Sequence, residues 1–131
     1  MARASFLSPI LGDRARPHSL QIVRNSRTLA RRIELAVDSS TRRRGLLGRD
    51  TFERGSALII APCGAIHTFF MRFAIDIVFV TRDGRVLKTY GGVPRRRIAF
   101  SLRAFAAIEL PAGAVADSDV TPGDVVRLVD A

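Results

Sequence analysis

One stretch constrains the fold more than any other. From Ile66 to Val80 the chain is almost continuously apolar, Asp83-Gly84 interrupts the pattern, and Arg85 to Tyr90 resumes it. Two extended runs joined by Asp-Gly signal a β-hairpin, because a type I′ turn needs positive φ at both central residues. A strand over 66–73 would place His67, Phe69, Met71 and Phe73 on one face, with Thr68, Phe70 and Arg72 on the other. Both faces are largely apolar, which predicts a central strand. Asp76 then falls among Ile75, Ile77, Val78, Phe79 and Val80, all expected to be buried. An unpaired carboxylate there is costly. It needs Arg72, Arg49 or a set of backbone N–H groups as partner, and an arginine is the simplest solution.

The rest of the chain reads as further short strands. Residues 19–24 suggest an edge strand, Asn25-Ser26 a turn, and residues 29–37 a half-exposed strand with alternating apolar residues. Asp38-Ser39-Ser40-Thr41 is rich in helix N-cap residues, so Arg42–Arg49 can form a short helix with Leu46 and Leu47 turned inward. Residues 56–61 and 106–110 read as buried strands, 91–97 as a loop, 112–118 as one helical turn, Thr121-Pro122-Gly123-Asp124 as a type II turn, and 125–129 as the last strand. The expected fold is therefore α+β and mainly β. It is a small, mostly antiparallel barrel or sandwich of six to eight short strands with one or two short helices. At 131 residues there is room for one domain, placed at 20–131 behind a loose N-terminal tail over 1–19. The tail's apolar run, residues 6–11, is too short for a signal-peptide core and is broken by Ser8 and Pro9. The cytoplasm is the default location, with export left open.

Net charge is +9, from 21 basic and 12 acidic residues. Such a balance suggests a polyanion or an anionic membrane surface. Yet only Lys88 is lysine, and the excess lies in short runs at 31–32, 42–44 and 95–97 rather than in one tract. A solvated basic surface, giving weak and salt-sensitive nucleic-acid binding, accounts for it.

Several segments taken together resemble the domain of unknown function 192 family. They are Arg42, Gly45, Leu46 and Arg49 in a first element, Phe69-Phe70-Met71-Arg72 in a second, Asp76 in a third and Gly123-Asp124 in the last. Two positions depart from the family pattern, Leu47 for a methionine and Ala74 where proline is common, and the link from Arg72 to Asp76 is about three residues short, which resembles a sub-branch with Cys63 and His67 ahead of the strand. The resemblance spans about residues 33–130. It implies a compact, strand-rich domain and no activity.

Chemistry has few places to sit. Cys63 and His67, four residues apart with Cys63 between Pro62 and Gly64, are the candidates for a thiolate activated by imidazole, although a buried thiol and a core histidine account for them as well. No metal site is expected, because one Cys and two distant His do not supply a zinc set, and no cofactor is expected, because nucleotide-binding glycine motifs are absent. Asp117, Asp119 and Asp124 read as a solvated acidic loop. The remaining candidates for ligand binding are Arg42, Arg49, Arg72 and Asp76, with Arg44 beside them, because guanidinium forks recognise carboxylates and phosphates. The sequence thus favours a binding or accessory module for an anionic small molecule or peptide over a catalyst. A thiol/imidazole enzyme and a weak nucleic-acid binder are the alternatives.

Overall fold

The computed structural model describes residues 3–131. It is mainly β: ten strands in three sheets, with three short helices, among the described residues. In chain order these are α1 (Ser8–Gly12), β1 (His18–Ile22), β2 (Thr28–Ala30), β3 (Arg32–Ala36), α2 (Ser39–Arg44), β4 (Ser56–Ile60), β5 (Ala65–His67), β6 (Ile75–Val80), β7 (Val86–Val93), β8 (Ile98–Phe100), β9 (Ala106–Pro111), α3 (Ala114–Ser118) and β10 (Val126–Asp130). The count exceeds expectation because β2, β5 and β8 are only three residues long and are invisible to periodicity.

The spine is a five-stranded sheet ordered β3-β4-β9-β6-β7, antiparallel except for the parallel β3–β4 pair. Strands β4 and β6 are buried at every position, because both faces of this sheet are covered. One face, through Ile59, Val78, Val80, Ile108 and Leu110, packs on the three-stranded sheet β10-β1-β2. The other, through Leu58, Ile60, Ile77, Phe79 and Ala107, packs under Leu46, in the turn that follows α2, and the small β5–β8 ribbon. A side chain's parity on a central strand therefore decides which layer it enters.

The expected hairpin is present as β6–β7, with a different turn. The amide of Gly84 donates to the Thr81 carbonyl and that of Thr81 to the Arg85 carbonyl. Gly84 has φ +86°, and Asp83 is not among the residues at positive φ. This is a three-residue loop ending in a left-handed glycine, not type I′. Glycine is required there for space as well, since a Cβ would collide with the Val126 carbonyl oxygen.

Three other expectations are corrected. Residues 3–18 are no loose tail: Phe6, Leu7 and Ile10 belong to the core between the two larger sheets. Pro9 sits in the first turn of α1, where a missing N–H costs nothing, so it does not break the segment. Strand β1 is not an edge but the centre of its sheet, bonded to both β10 and β2. The expected central strand over 66–73 ends at His67. Thr68 turns inward, its hydroxyl donating to the Pro94 carbonyl (2.7 Å) and accepting from the Arg97 amide (2.9 Å), and Phe70 takes φ +66°.

Candidate functional site

Asp76 is buried on β6, as the apolar run requires, but its partners are amides and not an arginine. Gly92 N–H donates to Oδ1 at 2.7 Å, and Gly113 and Val115 N–H donate to Oδ2 at 3.1 and 2.8 Å. Arg49 instead forks onto Glu34 of β3, at 3.0 and 2.7 Å. Arg72 pairs with Asp50 at the surface. Register explains the difference. Asp76 shares its face of the sheet with Val78 and Val80 and meets the turn into α3, whereas Arg42 and Arg49 follow the opposite face. The sequence-chosen arginines and Asp76 therefore do not form one site. The expected solvated acidic loop also changes character at Asp124, which is buried and takes Arg24 Nε at 2.7 Å; that hydrogen bond holds its carboxyl below the usual range.

A cleft opens on the α2 side of the spine, with a volume of about 380 Å³. Arg42, Arg43 and Arg44 rim it from α2, Cys63 and His67 border it from β5 and the turn before it, and Glu109 of β9 lies at its floor. Helix α2 exists because Asp38 caps it: the Asp38 carboxylate accepts the Thr41 amide at 2.8 Å. It ends at Gly45, whose φ of +47° lets the backbone approach the floor; a Cβ there would lie 4.0 Å from Glu109 Oε1.

Glu109 is the residue that the sequence reading missed. It is 3% exposed and its Oε2 is buried without a hydrogen-bond partner. It occupies one row across the spine with Glu34, Leu58 and Ile77, so its neighbours on both sides are apolar. Burial pushes its carboxyl up to about 7, and the nearby Arg49 charge only partly opposes this. The signal was present in the sequence: a lone carboxylate in the Ala106–Leu110 strand raises the same burial question as Asp76.

The Cys63 thiol donates to the Ala65 carbonyl at 3.2 Å, and among the described residues no hydrogen bond joins it to His67. Burial pushes this thiol up, opposite to what a nucleophile needs. We expect iodoacetamide to alkylate Cys63 in the folded protein more slowly than a free thiol at pH 7.5. Faster alkylation would revive a thiolate role. Among the described residues, no three metal-ligating side chains group together.

A two-face-buried spine with an arginine-rimmed, carboxyl-floored cleft defines a small β-rich domain with a candidate binding cleft. The chain belongs to the DUF192 family, described as Uncharacterized ACR, COG1430, whose profile matches residues 21–128. Two crystal structures share the fold. A protein of unknown function from Novosphingobium aromaticivorans DSM 12444 is 22% identical, with TM-score 0.73 over 85% of this chain and 83% of that one. A protein from Sinorhizobium meliloti 1021 described as a candidate transcription regulator is 21% identical, with TM-score 0.75 over 97% of each chain. Comparison with curated proteins finds no significant match.

Proposed function

We propose that the protein is a binding module whose cleft takes a small anionic molecule or peptide that also carries a hydrogen-bond donor. The observation that carries this reading is Glu109: a buried carboxyl with a free oxygen at the floor of a cleft whose rim is arginine. Leaving such a group unsatisfied is unfavourable. A ligand that brings an N–H or O–H to the floor and a carboxylate or phosphate to Arg42, Arg43 and Arg44 satisfies both ends at once. Amino carboxylates and peptide termini have this chemistry. Of the residues chosen from sequence, Arg42 serves this site directly and Arg49 serves it through the charge it directs at Glu109, while Asp76 and Arg72 serve the scaffold and the surface.

The test is a thermal-shift screen with millimolar amino acids, dipeptides, dicarboxylates and inorganic phosphate at matched ionic strength. We expect a donor-bearing carboxylate to raise Tm, and Glu109→Gln and Arg42→Gln each to abolish or sharply reduce that rise. A panel in which no probe exceeds its salt control, or a shift that survives Glu109→Gln unchanged, would overturn the reading.

A further inference from the structure

The β5–β8 ribbon lies outermost on the cleft side of the spine, so its outer face should be polar. It is not. Ile66 and Ala99 point inward, and the outward positions form the cross-strand pairs Ala65–Phe100 and His67–Ile98. Ile98 is 65% and Phe100 50% exposed. The same character extends past both ends of the ribbon, where Phe70 and Leu102 are 87% and 86% exposed. Phe70 is held out by a built turn: the Met71 and Arg96 amides both donate to the Thr68 carbonyl, and the Thr68 amide donates to that of Arg97.

Around these tips the charge is predominantly positive, with Asp50 paired to Arg72 as an acidic exception. Residues 62–75 and 94–105 contain Arg72, Arg95, Arg96, Arg97 and Arg103 and no Asp or Glu. All five arginines are exposed. Lys88 adds a further cation, with Nζ 5.2 Å from the Phe100 ring centre. Apolar tips ringed by arginine match the interface of an anionic bilayer, where the tips enter the acyl boundary and the guanidiniums meet lipid phosphates. A second copy of the chain fits poorly, because it would set these arginines against their own kind. Nucleic acid fits less well: Phe70 and Phe100 offer rings on which a base can stack, but Ile98 and the equally exposed Leu102 do not. No described helix is long and apolar enough to cross a membrane.

We infer that the β5–β8 ribbon, with Phe70 and Leu102 at its ends, is a docking surface for an anionic lipid bilayer. The test is co-sedimentation of the full chain with vesicles of phosphatidylcholine alone and of phosphatidylcholine mixed equally with phosphatidylglycerol. The protein should pellet with the mixed vesicles and not with the neutral ones. The double variant Phe70→Asn, Leu102→Ser should lower that partitioning by about tenfold or more through lost apolar insertion, with Tm unchanged. Asparagine is chosen because it accepts positive φ. Arg96→Gln should lower partitioning by about fivefold. Equal binding to both vesicles, no binding to either, or partitioning indifferent to the double variant would overturn the inference. So would a dimer, or capture of an acidic protein or nucleic acid, that depends on these two residues while vesicles stay unbound. None of the substituted residues, Phe70, Arg96 and Leu102, lines the cleft.

Discussion

Replacing Asp76 with alanine should cost about 3–5 kcal/mol of stability. The carboxylate accepts three backbone amides, from Gly92, Gly113 and Val115. Hydrogen bonds to a charged group contribute roughly 1.5–3 kcal/mol each. The lower part of that range applies, because Gly92 and Gly113 are exposed and water can rehydrate their amides. Asp76→Asn should cost about half as much. Its carbonyl can take the place of Oδ2 and keep Gly113 and Val115, while its NH₂ group opposes the Gly92 amide. Urea titration of the three proteins decides the matter. An alanine variant that loses less than about 1 kcal/mol would show that these bonds do not hold the β7 end and the α3 turn in place.

Glu109→Gln should do the reverse and stabilise the protein at alkaline pH. The carboxyl sits at about 7 in the folded chain against 4.5 for an unperturbed group, so the native state binds its proton more tightly than the unfolded state does. Stability from this residue is complete below about pH 4.5 and is lost as pH rises through 7, a total of roughly 3 kcal/mol. Glutamine keeps the shape without the ionisation. The variant should therefore match wild type near pH 4 and exceed it by up to about 3 kcal/mol at pH 8.5, which urea titrations across that interval measure. A wild-type profile parallel to that of Glu109→Gln would mean that Glu109 is hydrated in solution.

Much of the architecture was legible in the sequence, because parity and turn chemistry are local. The run 75–80, apolar but for Asp76, the Asp-Gly hairpin, the Asp38 cap and the Pro122-Gly123 turn all sit where their residue types direct the backbone. Failures came where a long-range contact decided. Residues 66–73 look like one strand until Thr68 finds the Pro94 carbonyl and bends the chain out of register. Residues 6–11 look like a broken leader until the space between two sheets takes Phe6, Leu7 and Ile10. For the candidate site, burial of Asp76 followed from its neighbours, but its choice of partner depended on which face of β6 it used. Glu109 was open to the same reasoning. Arg42 remained with the cleft because α2 carries it there.

The spine sheet acts as a partition between two acids that lie beside each other in register, Asp76 opposite Leu110 and Glu109 opposite Ile77. One is wired into the chain's own amides and fixes architecture. The other faces a rim that can be recut without touching that wiring. Exchanges at Arg42, Arg43, Arg44 or Glu109 would therefore change the charge of the cleft while the helix anchored behind the wall stays in place.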